Sequence, residues 1–259
     1  MSNISDKAVV SPKAKIGNNV TIYPFVYIED DVEIGDDCII YPNVNLMNGT
    51  RLGKNNKIHQ NTVISALPQD FHYNGGKTLC VIGDGNIIRE NVVINRATYE
   101  DGKTQIGNEN FIMEGVHISH DAHVGNLNVL GYGTKVAGDV EIGSNNIFAS
   151  GIIVSPNVRI GDCTIIESGA FIEKDVPPYI VAGDYPVKYK GISQYMMDQM
   201  NIGEREAAHI ANAYRLVFHG QDALLNVCNQ IVQQIPEGKE IDNIITFLTG
   251  SKLGIITKM

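Results

Sequence analysis

The stretch His117-Ile118-Ser119-His120-Asp121-Ala122-His123 places three imidazoles within one short segment, with a carboxylate directly after the second. Imidazole titrates near neutrality, and a neighbouring carboxylate can fix its tautomer and raise its basicity, so His120 beside Asp121 suits general-base work. Histidine is also a common zinc ligand, so His117, His120 and His123 admit a metal reading. The spacing H-x-x-H is equally that of surface histidines on a polar strand. What decides between these readings is the scaffold that holds the segment.

That scaffold is written in a period of six. Apolar residues fall at every sixth position from Val10 through Ile16, Ile22 and Ile28 to Ile64, lapse at 70 and 76, and resume in phase at Ile82, Ile88 and Ile94. After a lapse at 100 the pattern runs unbroken from Ile106 to Ile172. With 43% apolar residues, chance would give those twelve consecutive matches with odds of roughly 4 in 100,000. Two positions before most lattice points stands a small or β-branched residue, such as Val20, Val92, Val116 or Ala122. Residues i and i−2 of a strand share a face, so each hexapeptide reads as a short strand with two inward side chains followed by a corner. Ile-Gly and equivalent pairs recur mostly at 18 residues, which makes three hexapeptides one triangular coil. Corner residues such as Gly17-Asn18-Asn19, Gly107-Asn108 and Ser144-Asn145-Asn146 are expected to supply positive φ. An antiparallel sandwich would not hold one phase of six over this length. The predicted fold is an all-β left-handed parallel β-helix of hexapeptide repeats with a C-terminal α-helical domain, divided as 1–185 and 186–259.

In this frame Val116 and Ile118 point inward, His117 and Ser119 outward, and His120 sits at the following corner. The two lapses, Ser65–Lys77 and Ala97–Lys103, must be loops leaving the prism, the usual place for substrate contacts. The prism is expected to end near Val176-Pro177-Pro178-Tyr179, because tandem prolines cannot continue a ladder. Beyond it, Ala207, Ile210, Ala211, Tyr214, Val217 and Phe218 recur at steps of three and four, a helical stripe over 204–218. A second helix is predicted over 222–234, with Leu224, Leu225, Val227, Ile231 and Val232 as its apolar face, and a third over 241–248.

Net charge is −9, which argues against a nucleic-acid partner. No apolar run is long enough for a membrane span. The first residues lack the basic start and apolar stretch of a secretory signal. Cys38, Cys80, Cys163 and Cys228 lie far apart without paired spacing, as expected of reduced thiols in a cytoplasmic protein.

The hexapeptide lattice resembles that of left-handed β-helix acyltransferases. More specifically, Pro68-Gln69-Asp70-Phe71-His72-Tyr73, Ile82-Gly83-Asp84, Ile88-Arg89-Glu90-Asn91-Val92, Ile94-Asn95-Arg96-Ala97-Thr98, the segment Met113 to Asp121 and Asp175-Val176-Pro177-Pro178-Tyr179 occur in order. In these the chain resembles the UDP-N-acetylglucosamine O-acyltransferases that open lipid A synthesis. The likeness runs from about Val10 into the helical tail, including Asn212-Ala213-Tyr214-Arg215.

The resemblance implies a homotrimer with active sites in clefts between prisms. A 3-hydroxyacyl chain would pass from acyl carrier protein to the 3-hydroxyl of UDP-N-acetylglucosamine, with no metal or other cofactor. It implies His120 as general base, Asp121 as its support and the Gly138 N–H as oxyanion donor. Gln69, Asp70 and His117 would contact the sugar nucleotide, as would His72, where the family usually has lysine. Ser168 would stand at the position that limits acyl length. The chain departs from the family at Asp139, commonly histidine, at Ser155-Pro156-Asn157, commonly His-Gln-Phe, and at Ser193-Gln194-Tyr195 with Met196 to Met200, where nucleotide-reading and basic residues usually stand. Other readings are an acyltransferase paralogue with a different sugar-nucleotide acceptor, a zinc hydratase like the γ-class carbonic anhydrases, which share this prism, and a scaffold without catalysis.

Overall fold

The computed structural model describes residues 2–219 and 223–258. Very short parallel strands stack into three sheets, which form the sides of a triangular left-handed prism. Sheet I carries twelve strands, sheet II nine and sheet III eight. Successive coils pair at an offset of 18 residues, as in Ile22↔Ile40 in sheet I, Ile118↔Val136 in sheet II and Ile16↔Ile34 in sheet III. The offset widens to 30 at Ile64↔Ile94 and to 24 at Ile94↔Ile118. Both departures are multiples of six, so the inward phase survives both excursions.

Every lattice residue from Ile22 onward is buried, while Val10 and Ile16 at the open first coil are only partly so. The first coil also leaves Ile4 and Val9 exposed, at 44% and 63%. Three columns of inward pairs thus make one continuous apolar core, as a sheet closed on itself requires.

A second column inside the prism is polar. Asn56, Asn86, Asn110, Asn128 and Asn146 stand two positions before the sheet I lattice points and are completely buried or nearly so. The amides of Asn56, Asn86, Asn110 and Asn128 are satisfied by their neighbours, whereas Asn146 uses its Oδ1 but its Nδ2 meets no acceptor among the described residues. The Asn110 side chain donates to Asn86 Oδ1 at 3.0 Å and to the Gly125 carbonyl at 3.0 Å, and its Oδ1 accepts the Asn128 backbone N–H at 2.9 Å. Thr164 ends the column by donating its hydroxyl to Asn146 Oδ1 at 2.8 Å. Asn146 therefore belongs to the interior and not to a corner. Of the residues expected to turn the corners, Asn19 and Asn145 adopt positive φ, at 54° and 60°. Gly107 is needed for another reason: a Cβ there would lie 2.7 Å from the Gly125 carbonyl oxygen in the next coil.

The tandem prolines do not end the ladder. They occupy the corner between sheets III and I, where Val176 still donates its N–H to the Arg159 carbonyl at 2.9 Å. Sheet I then resumes with Ile180–Gly183, paired in parallel with Ile165 and Ile166. A hairpin returns along Lys188–Ile192, and Thr257–Lys258 adds a last parallel strand beside it. The chain thus closes the end of the prism with its own tail.

Four helices intervene: α1 (Gln194–Gln199), α2 (Glu204–His219), α3 (Leu224–Gln234) and α4 (Lys239–Thr249). The short α1 was not anticipated. In α2 the expected stripe holds at Ala207, Ile210 and Tyr214, all buried, with Ala213 also inside. The predicted start of α3 at Asp222 lies outside the described residues. Within α3, Val227 and Ile231 are buried, but Leu225 and Val232 face solvent at 68% and 60% exposure, because Cys228 takes the inner face instead. Asn243 of α4 pins the helices to the prism, donating to Asp162 Oδ2 at 3.2 Å and Tyr179 Oη at 3.0 Å.

Ile118 is fully buried in sheet II, two positions before His120. Burial of such a side chain is worth about 1.5–3 kcal/mol, and an unpaired buried carboxylate costs more. Ile118→Asp should therefore abolish the cooperative unfolding transition seen by circular dichroism. A variant that melts like the parent would mean the inward phase is misassigned.

Candidate active site

Both excursions leave the prism at the same corner, where sheet II hands over to sheet III. The first departs after Ala66 and returns at Leu79, the second departs after Asn95 and returns at Lys103. The third coil in succession crosses this corner without a loop, and there stand Ser119 to Ala122. The loops therefore rise directly beside His120.

His120 and Asp121 are paired. The His120 Nδ1 lies 2.9 Å from Asp121 Oδ2, and the two side chains are 12% and 13% exposed. Asp121 turns the corner with φ 58°, which brings its carboxylate back toward the preceding ring. Its Oδ2 also accepts the Thr98 backbone N–H from the second excursion at 2.9 Å, and its own N–H donates to Thr104 Oγ1 at 2.9 Å. A carboxylate so held is an acceptor, which favours the tautomer with the proton on Nδ1 and the Nε2 lone pair outward.

The first excursion brings Asp70 to that lone pair. Asp70 Oδ2 lies 3.8 Å from His120 Nε2. Its other oxygen accepts the His72 backbone N–H at 2.9 Å and meets His72 Nδ1 at 2.8 Å. These bonds, the backbone one first, hold the Asp70 carboxyl below the usual carboxylate range. The root of the loop is tied by Asn95, which donates to the Leu67 carbonyl at 2.6 Å, and by Arg96, which donates to the Asn48 carbonyl at 2.8 Å and to Tyr73 Oη.

One coil above His120 stands Gly138. A Cβ there would lie 2.5 Å from His120 Cε1 and 2.7 Å from Nε2, so the imidazole occupies the space a side chain would fill. The Gly138 carbonyl accepts from Asn157, while its N–H meets no acceptor among the described residues. Asp139 follows, donating its N–H to the His120 carbonyl at 3.2 Å. Its carboxyl is raised, by desolvation first although the residue surface is largely open, and then by the Asp121 carboxylate.

The structure thus gathers His120, Asp121, Asp70 and Gly138 at one corner. His72 is there as a clasp on Asp70, with its ring 77% exposed, and Gln69 is exposed on the same loop. His117 lies on the outer face of sheet II, half-buried, and burial followed by nearby Lys135 lowers its pKa. His123 is exposed on sheet III, so the three histidines point from two sheets and a corner. Among the described residues no three His, Cys, Asp or Glu side chains form a group that could hold a metal ion. Ser168 is exposed at a different corner, between Ile166 of sheet I and Phe171 of sheet II. Thr98, Thr104, Asn95 and Arg96 were not singled out from the sequence, although Asn95, Arg96 and Thr98 lie in a motif it displays. In the divergent stretch at α1, Ser193 and Met197 are fully buried and Tyr195 is 57% exposed.

Residues 175–256 match the family described as UDP-N-acetylglucosamine O-acyltransferase, domain 2, and residues 13–48 and 31–66 match the bacterial transferase hexapeptide family. The acyl-[acyl-carrier-protein]--UDP-N-acetylglucosamine O-acyltransferase of Chlorobaculum tepidum is 49% identical over 248 residues, covering 95% of this chain and 94% of its own. That of Chlorobaculum parvum is 48% identical over 255 residues, covering 98% and 97%. The crystal structure of the UDP-N-acetylglucosamine acyltransferase from Bacteroides fragilis superposes with a TM-score of 0.96 at 40% identity, covering 98% of this chain and 99% of that one.

Gly138→Ala keeps an ordinary backbone conformation, since Gly138 is absent from the positive-φ positions. The added methyl should displace the imidazole without unfolding the coil. The expected result is a melting temperature within a few degrees of the parent and a changed ring ¹⁵N spectrum of His120. An unchanged spectrum would show that the ring does not occupy this space.

Proposed function

This chain belongs to the UDP-N-acetylglucosamine O-acyltransferase family, and from that membership we infer that it transfers a 3-hydroxyacyl chain from acyl carrier protein to the 3-hydroxyl of UDP-N-acetylglucosamine, the first step of lipid A biosynthesis. The observation that carries this is the 2.9 Å His120–Asp121 pair, with Nε2 open toward Asp70.

In this reading His120 Nε2 takes the proton of the sugar hydroxyl as its oxygen attacks the thioester carbonyl. The Nδ1–H stays on the ring, bonded to Asp121, which stabilises the imidazolium that forms. The new C–O bond creates a tetrahedral oxyanion, for which the Gly138 N–H is a free donor. Collapse breaks the C–S bond, and the proton on Nε2 passes to the departing thiolate. Asp70 is placed to orient the sugar hydroxyl, with His72 fixing its carboxylate. Gln69, next to Asp70, and His117, whose pKa burial and nearby Lys135 lower, would contact the sugar nucleotide beside it.

The trimer is supported by the chemistry of the three outer faces. The outer row of sheet I includes Ile39, Ile87, Phe111, Val129, Ile147 and Ile165, interrupted by Lys57. Sheet II presents Tyr27, Val63, Val93, Ile153 and Phe171, interrupted by Asn45, His117 and Lys135. Sheet III instead carries Glu33, Arg51, Gln105, Glu141 and Arg159. Two mainly apolar faces and one charged face fit a cyclic arrangement in which I packs on II of the next copy and III meets water. The four cysteines are free and buried, in keeping with a reducing cytoplasm, and no helix among the described residues is long and apolar enough to cross a membrane. A different sugar nucleotide as acceptor is the second reading, favoured by the absence of basic side chains from Ser193 to Met200.

Offering UDP-N-acetylglucosamine and other sugar nucleotides with a panel of 3-hydroxyacyl carrier proteins, and reading products by mass spectrometry, tests this directly. The 3-O-acyl product from UDP-N-acetylglucosamine is expected, and His120→Ala should lower its rate by about 100- to 10,000-fold. Acylation of another nucleotide in preference would reassign the acceptor. With the same donors graded in length, Ser168→Gly should shift the preference toward longer chains. An unmoved preference would remove Ser168 from the acyl path.

A further inference from the structure

The first excursion brings no apolar anchor of its own into the prism. From Leu67 to Lys77 every residue is half-buried or exposed, and the loop is held by polar bonds at its root and by the Asp70–His72 clasp. Its two large apolar side chains point away from the chain: Leu67 is 61% exposed and Phe71 107%. A phenyl ring with no contact at all, one residue from the carboxylate that faces His120, is an uncovered apolar group on a segment fixed by its neighbours. Folding of this chain alone gains nothing from it.

We propose that Phe71 is covered by a second copy of this chain, seated on the outer row of sheet I around Phe111 and Val129, and that this contact holds Asp70 against His120. The proposal rests on the trimer reading above. Two observations select the seat. The sheet I row is apolar, half-buried and unpartnered within the chain. Its height is also right. Asp70 Oδ2 is 3.8 Å from His120 Nε2, so Phe71 stands at the level of the His120 coil, two coils above the point where its loop departs. Copies related by a closed rotation axis share the same height along that axis. In sheet I this level falls between Phe111 and Val129, which precede and follow His117–His120 in the chain. Phe71 is then a positioning residue: it acts on the reaction through Asp70, whose loop is otherwise tied to the prism by hydrogen bonds and by the Arg96 guanidinium over the Tyr73 ring.

The test joins geometry to kinetics. The native cysteines are buried, so a Phe71→Cys and Phe111→Cys pair can be bridged selectively by a short bismaleimide. Covalent trimers on denaturing gels are expected from the pair and not from either substitution alone. Phe71→Ala should remain trimeric in sedimentation equilibrium, lose roughly ten- to hundredfold in kcat/KM for the sugar nucleotide, and be rescued largely by Phe71→Leu. A trimer whose paired cysteines do not bridge overturns the seat, and parental kinetics of Phe71→Ala overturns the clamp. A fully active monomeric parent overturns the trimer reading, and the proposal with it.

Discussion

The whole molecule depends on one constraint: every strand amide must find a carbonyl on the coil above, 18 residues on, or at an offset that keeps the same inward phase. Strands this short cannot be stable one by one, and each is held only by its rungs above and below. The pairing forces identical side-chain columns along the prism, because any slip by one residue would turn the inward lattice outward. It also forces every insertion to be paid for at a corner. The two excursions widen the offset from 18 to 30 and to 24 and keep the inward lattice in phase, with one irregularity where Ala66 pairs with Asn95.

That constraint is what makes a catalytic corner possible. Loops on two consecutive coils leave at the corner where the third coil carries His120. The rigid prism fixes the imidazole and Asp121 by backbone geometry, through the positive φ of Asp121 and the stacking of Gly138 over the ring. The loops add what a prism cannot, a carboxylate facing Nε2 and an amide donor to the same Asp121 oxygen that meets Nδ1. Each side chain of the site is therefore held by a different kind of interaction, and only Asp70 depends on a segment without core contacts.

Much of this is legible in the sequence because the physics is periodic. The phase of six identifies the inward residues, and the corner position of His120 beside Asp121 follows from it. What the pattern hides are contacts made across coils. The buried asparagines violate the expectation that interiors are apolar, and apart from the Asn146 Nδ2 they are satisfied because each coil offers the next a carbonyl and an amide. Pro177 and Pro178 look like a stop because they cannot donate, yet at a corner no ladder donation is required. The approach of Asp70 to His120 is invisible for a related reason: it depends on how a loop without periodicity reaches two coils up the prism. Leu225 and Val232 misled the helical reading, because Cys228 serves as the apolar residue of the inner face.

The open first coil, with Val10 and Ile16 only partly covered, contrasts with the other end, where the hairpin and Thr257–Lys258 close sheet I. A stack with one sealed end loses order from the other. Opening would begin at the amides of Asn3, Val9 and Lys15 and advance inward coil by coil, so their hydrogens would exchange with solvent first. His120 lies several coils from that edge and is backed by the capped end, which places the ladder amides of His117 and Ser119 beside it among the slow-exchanging ones. The molecule can thus breathe at its tip for long periods while the reactive corner keeps its shape.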